Sequence, residues 1–302
     1  MFSTKSGAAK LLISVVIGLI VLKILVSWLT GSISILAQAA DSIFDLIAGI
    51  ITLSAIRIAD KPADKEHPYG HGKVEDIAGM VQGVLIFIAG VMIIYSSVLR
   101  IIEGATVELA ETGIAVMLVS IIVSIFLSRH LLKVAHATGS IVLEANAKNI
   151  ASDVYSAIAV LVGLTIVRFT NLNAIDAIIA IGVAIYILKI SFDTIRKPIR
   201  GLIDAQLPHS QEKAIESCLR NHGHEVVGYH ALRTRRSGSQ RYIDLHLVMS
   251  RDISLEKAHQ VCDQIENEIN SELPESSVVI HIEPCSDECQ QCYVSCSKRH
   301  NN

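Results

Sequence analysis

Residues 37–50 read AQAADSIFDLIAGI, and two acidic side chains, Asp41 and Asp45, stand four apart in a run otherwise apolar enough to cross a bilayer. A charge at bilayer depth costs about 3 kcal/mol or more and persists only where a partner or a cation offsets it. On a helix, an i, i+4 pair projects from one face, one turn apart. Facing a second polar helix, these carboxylates would form an oxygen-rich pocket suited to a divalent cation.

The surrounding chain supports that setting. It has 302 residues, is 51% hydrophobic, and has a mean hydropathy of +0.48, which soluble domains seldom reach. Six spans are predicted, at roughly 10–30, 33–56, 77–102, 112–134, 141–168 and 174–195, each long enough for a helix across a ~30 Å core. The N-terminal MFSTKSGAAK runs into a span too long for a secretory signal. Lys5, Lys10, Arg57, Lys61, Lys65, Lys73, Arg129, Lys133, Arg196, Lys197 and Arg200 fall on one side, against Arg100 and Arg168 on the other. The excess of basic residues predicts a multi-pass protein of the inner (plasma) membrane with both termini in the cytoplasm.

Near residue 205 the texture changes. HSQEKAIESCLRNH reads as an amphipathic helix, and VVGYHALRTRR and RYIDLHLVM as strands joined around Ser237-Gly238-Ser239. SLEKAHQVCDQIENEIN is a second helix with Ser254 as N-cap, and SSVVIHIEP a closing strand. This αββαβ order predicts a small two-layer α+β domain on the cytoplasmic side. The expected division is a transmembrane domain over 1–204, a cytoplasmic metal-binding domain over 205–284, and a Cys-rich tail over 285–302.

Span five carries a matching i, i+4 pair, Asn149 and Asp153, with Asn146 a further turn back. Asp41, Asp45, Asn149 and Asp153 together offer three carboxylates and one amide carbonyl, donors that suit hard or borderline divalent ions such as Mn²⁺, Fe²⁺ and Zn²⁺. Interhelical hydrogen bonding is the plainer reading of one polar residue; two spans with matched pairs favour a metal. Lys23 and Lys189 could snorkel or pair at helix ends, and Gln38 could support the site or merely line the interface.

Other candidates lie outside the membrane. Asp64, His67 and His71 follow span two at spacings of 3 and 4; spacing alone leaves a zinc set and a solvated polar loop equally open. His230 and His246 fall on the hairpin strands, His259 on the second helix, and His281 and Glu283 on one face of the last strand. The tail places Cys285, Cys289, Cys292 and Cys296 at gaps of three, two and three residues. Reduced thiolates so spaced suit Zn²⁺, Cu⁺ or an iron–sulfur cluster, or simply belong to an unstructured tail. Cys218 and Cys262 are single residues on amphipathic helices and are expected to pack.

On these motifs the sequence resembles the cation diffusion facilitators, and is most similar to their bacterial zinc and ferrous-iron efflux branch. The resemblance covers roughly residues 10–285 and implies six transmembrane helices followed by a cytoplasmic ferredoxin-like domain. It implies a transport site at Asp41, Asp45, Asn149 and Asp153, with Asn149 standing where that branch has histidine. It also implies a regulatory or structural loop site at Asp64, His67 and His71. Paired zinc ions near a dimer interface are implied at His230, His246, His259, His281 and Glu283, the last replacing an aspartate. Lys73 and Asp204 resemble the family's salt-bridge interlock at the membrane–cytoplasm junction.

The expected function is proton-coupled antiport by a homodimer in the lipid bilayer, exporting divalent metal from the cytoplasm. Zn²⁺, Fe²⁺, Mn²⁺ or Co²⁺ would serve as substrate and regulator, with no organic cofactor and no nucleic-acid partner. Asparagine cannot titrate and binds through a neutral oxygen, which tilts the site toward Fe²⁺ or Mn²⁺ and leaves proton exchange to the carboxylates. Three clustered carboxylates repel one another, so at least one would hold a proton once the metal leaves. The alternative is a non-transporting metal sensor or assembly scaffold that dimerises through its cytoplasmic domain. An enzyme or ATP-driven pump is disfavoured, because the sequence carries no phosphate-binding loop, HExxH element or nucleophile triad.

Overall fold

Runs of Ile, Leu, Val and Ala wind into six long helices in the computed structural model, which describes residues 3–31, 33–103, 111–170 and 174–285. They are α1 (Lys5–Thr30), α2 (Ile33–Ala59), α3 (Lys73–Glu103), α4 (Glu111–Thr138), α5 (Ile141–Thr170) and α6 (Ala174–Leu202). Helices satisfy every backbone group internally, as lipid demands. The Thr4 hydroxyl caps α1 by accepting from the Gly7 N–H at 3.1 Å. Several helices run past the predicted apolar stretches; α6 continues through Arg196, Lys197, Pro198 and Arg200. Among the described residues, five of them are long and apolar enough to cross a membrane. The exception is α5, which carries Glu144, Lys148, Asp153 and Arg168.

Helix packing places the polar residues inside. Around Ala8, Ala9, Leu12, Ile56, Leu131, Val142 and Leu143, helices α1, α2, α4 and α5 form a common core. Phe44, between the two α2 aspartates in sequence, is 71% exposed and faces outward. Lipid gives no hydrophobic drive between helices, so close backbone approach has to hold them. Helix α3 lies along α6, and a Cβ on Gly83 would fall 2.5 Å from Ile195 Cγ1. Only glycine fits there, and the buried Ser191 hydroxyl donates to the Gly83 carbonyl at 2.9 Å.

The chain divides after Leu202 into a second unit. Its elements are α7 (His209–Asn221), β1 (Val226–Ser237), β2 (Gln240–Met249), α8 (Leu255–Glu272) and β3 (Ser276–Pro284). Strands β1 and β2 form an antiparallel hairpin closed by Gly238 at φ 59°, and β3 lies parallel to β2. A parallel return needs a crossover, which α8 supplies; the Ser254 hydroxyl caps it, accepting from the Lys257 N–H at 3.2 Å. Period two decides the sheet's faces. Ile243, Leu245, Leu247 and Met249 are buried in a core with Ile215, Val261 and Ile265, so His246 is left on the opposite face. Cys218 and Cys262 are both buried, and burial pushes the Cys262 thiol up to about 11.

Candidate functional site

Within the membrane unit, α2 and α5 bring their polar faces together. The Asn149 Nδ2 donates to Asp45 Oδ1 at 3.4 Å, and Asp153 stands one turn beyond Asn149 on α5. Asp41 stands one turn earlier on α2. Asp45 and Asn149 are half-buried, while Asp41 and Asp153 keep exposed surface. This grouping is looser than the two histidine-containing groups found among the described residues, whose candidate ligand atoms lie within 4.8 Å of one another. Its chemistry is an oxygen-only donor set.

The loop after α2 forms the first of the tighter groups. Asp64 Oδ1 accepts from the backbone N–H of His67 at 2.7 Å and of Glu66 at 2.9 Å, folding the loop back on itself. Its carboxylate oxygens lie 3.4 Å from His67 Nδ1 and 3.4 Å from His71 Nε2, and the two rings stand 4.5 Å apart. The His67 and Glu66 N–H groups hold the Asp64 carboxyl below its ordinary range. It is therefore ionised at neutral pH and ready to serve as a ligand.

The second group sits on the open face of the C-terminal sheet. Register places His230 opposite His246 and His246 opposite His281. Glu283 Oε2 lies 2.9 Å from His230 Nε2, and its Oε1 lies 2.8 Å from His246 Nδ1. The hydrogen bond from His230, then that from His246, lowers the Glu283 carboxyl below its ordinary range. A bulge after His230, with Ala231 at φ 52°, locally breaks the ladder and re-aims the strand beside the group.

The comparisons with known proteins follow the same division. Residues 9–203 match the cation efflux transmembrane domain family, and residues 207–285 match the cytoplasmic domain of cation efflux proteins. The chain belongs to the cation efflux (cation diffusion facilitator) family. It is a cation efflux transporter, of a family of transporters rather than enzymes. A cation-efflux pump FieF of Pectobacterium atrosepticum is 32% identical over 273 residues, covering 90% of each chain. FieF of Salmonella typhi is 35% identical over 268 residues, covering 89% of each. The uncharacterized transporter sll1263 of Synechocystis is 31% identical, covering 86% of this chain and 84% of that one. Among solved structures, the zinc form of CzrB is 31% identical over 26% of this chain and 90% of that one, with a TM-score of 0.25.

Not every sequence candidate of this cation efflux protein joins a group. His281 is adjacent to the sheet cluster, its ring 4.9 Å from that of His246 and its Nε2 3.9 Å from Glu283 Oε1. His259 stands apart on α8, 3.9 Å from Asp263. Lys73 donates to the Leu202 carbonyl at 3.4 Å, and Asp204 lies 3.4 Å from Arg235 Nη1. Cys285 is buried at the end of β3, its N–H donating to the Met249 carbonyl at 2.9 Å; Cys289, Cys292 and Cys296 lie outside the described residues. Lys23 does not snorkel: it is buried and hydrogen-bonded to α2. Sequence reading also missed a buried node in which Thr52 Oγ1 accepts from Asn146 Nδ2 at 3.0 Å and Gln82 Nε2 at 3.4 Å. The available signal was a polar side chain in each of three predicted spans.

Proposed function

We propose that this cation efflux protein is a homodimeric antiporter that exchanges a divalent metal leaving the cytoplasm for protons. The ion is held by Asp41, Asp45, Asn149 and Asp153. The observation that carries this reading is the meeting of Asp45 and Asn149 across the α2–α5 interface, with Asp153 one turn beyond Asn149. Acidic groups so deep in an apolar bundle need a cation or protons to offset their charge, and alternating occupancy by the two is antiport. The FieF relatives, named as cation-efflux pumps, support a cation cargo. The oxygen donors and the neutral Asn149 amide favour Fe²⁺ or Mn²⁺ over Zn²⁺.

The C-terminal domain and the loop then serve as regulatory metal sites. Metal at His230, His246 and Glu283 shifts the dimer toward its working conformation, provided it binds one state more tightly than the other. Flux into sealed proteoliposomes, with and without an imposed pH gradient, tests the reading across Zn²⁺, Fe²⁺, Mn²⁺ and Co²⁺. Gradient-driven flux that Asp45→Ala abolishes is the expected result. No flux for any ion, with metal still bound by the C-terminal domain, would instead make the protein a membrane sensor or scaffold.

A further inference from the structure

Helix α1 brings one cation to the intramembrane carboxylates. Lys23 is only 9% exposed, so its ammonium does not reach an interface. It turns onto α2 instead, where Nζ donates to Ser42 Oγ at 2.7 Å and to the Gln38 carbonyl at 3.2 Å. The Ser42 hydroxyl donates to that same carbonyl at 3.2 Å. Gln38 and Ser42 bracket Asp41, so the ammonium is fastened to the turn of α2 that opens the ion site. Ser42 adjoins Asp41 and stands three residues before Asp45, so the ammonium is held at the turn of α2 that carries both carboxylates. Among the described residues it makes no direct ion pair with them.

We propose that Lys23 is the fixed counter-charge of the ion site, a positioning residue that sets the charge of the cargo and the ease of its release. The proposal rests on the reading of Asp41, Asp45, Asn149 and Asp153 as the ion site. Three carboxylates and one ammonium leave two net negative charges, which one divalent cation cancels. In a low-dielectric bundle the neutral ensemble is the least costly. Without the ammonium, a bound divalent ion would leave one carboxylate charge unbalanced, and the ion would be gripped too tightly. A transported ion must bind well enough to enter and weakly enough to leave. Tethering the ammonium to a hydroxyl and a carbonyl keeps its charge near the carboxylates while preventing it from taking the metal's place.

The test measures initial rates of Zn²⁺ uptake into sealed proteoliposomes, over a range of Zn²⁺ concentration, for the full chain and its variants. Lys23→Met, apolar and of similar length, is expected to lower KM by roughly tenfold, from the loss of a nearby like charge, and to lower the maximal rate with it. Lys23→Arg keeps the charge and is expected to stay close to the parent in both parameters. A KM that is unchanged or raised in Lys23→Met overturns the proposal, as does a Lys23→Arg that behaves like Lys23→Met. Should Lys23→Met fail to fold, Ser42→Ala releases the tether while keeping the charge; an unchanged KM in that variant overturns the proposal equally. Asp45→Asn separates the two levels. Full flux in Asp45→Asn sinks the ion-site reading itself, whereas lost flux there with an unaltered Lys23→Met sinks only the counter-charge.

Discussion

The amide of Asn149 donates to the carboxylate of Asp45 across 3.4 Å, linking α5 to α2 at the level of the intramembrane carboxylates. A neutral amide in this position contributes no proton and only a weak ligand. Imidazole would contribute both a better zinc ligand and a group that titrates near pH ~6.5. Asn149→His is therefore expected to shift transport toward Zn²⁺ relative to Fe²⁺ and Mn²⁺, and to steepen its pH dependence around neutrality. Competition uptake in proteoliposomes at several pH values measures both. An unchanged metal profile would remove position 149 as a determinant of preference.

Thr52 joins three helices through one hydroxyl. It accepts from Asn146 on α5 and Gln82 on α3, while donating to the Ala48 carbonyl of its own helix at 3.0 Å. All three side chains are buried. Thr52→Val keeps the shape but takes the acceptor from the buried Asn146 amide, which then bears a desolvation cost of about 1–3 kcal/mol, while Gln82 Nε2 keeps the Ala48 carbonyl at 2.9 Å. The variant is expected to melt at lower temperature in detergent, with Thr52→Ser largely restored. Equal melting of Thr52→Val and the parent would mean that the node contributes nothing to helix association.

Much of this architecture is legible in the sequence because lipid simplifies the grammar. Apolar runs must be helices, and Asp41, Asp45, Asn149 and Asp153 stand out because charge is scarce around them. The C-terminal strands were readable for a different reason: Ile243, Leu245, Leu247 and Met249 alternate, and the alternation alone turns His246 outward. Partners across helices were not legible. Nothing in the spacing of Lys23 tells that it meets Ser42, or that Thr52 meets Asn146, because those pairings depend on helix rotation and depth. The same holds for the histidines: period two and register gather His230, His246 and Glu283, but they leave His259 on a separate element.

Glu283 spans two histidines with its two oxygens, so it is the residue whose loss most disperses the sheet cluster. Glu283→Gln removes the charge while keeping the shape. Zn²⁺ affinity of the C-terminal site is expected to fall by more than roughly tenfold, the lower end of what even indirect metal-site partners cost. Isothermal titration of the full chain, with Asp45→Ala and Asp64→Ala silencing the other sites, isolates this one. His259→Ala in the same background should change the affinity of this three-residue group little. Loss of binding in His259→Ala alone would mean that His259 completes the site.

Glu225 offers a pH test free of metal ligands. Its carboxylate lies 2.9 Å from Lys257 Nζ, and the hydrogen bond from Lys257 lowers it below its ordinary value of 4.5. A carboxyl depressed by folding stabilises the fold fully above its unfolded value, and that contribution is lost as pH falls through the lowered, folded one. His222 and His224 each approach Glu225 at 3.9 Å and add to the lowering of its carboxyl. At this partly exposed site the contribution is under about 1 kcal/mol. Lys257→Met is accordingly expected to destabilise the C-terminal domain slightly at neutral pH and to match the parent once pH falls to about 3. Denaturant unfolding of the detergent-solubilised protein at the two pH values reads the difference. A gap that persists or widens in acid would assign the stabilisation to the packing of the Lys257 stem rather than to its charge.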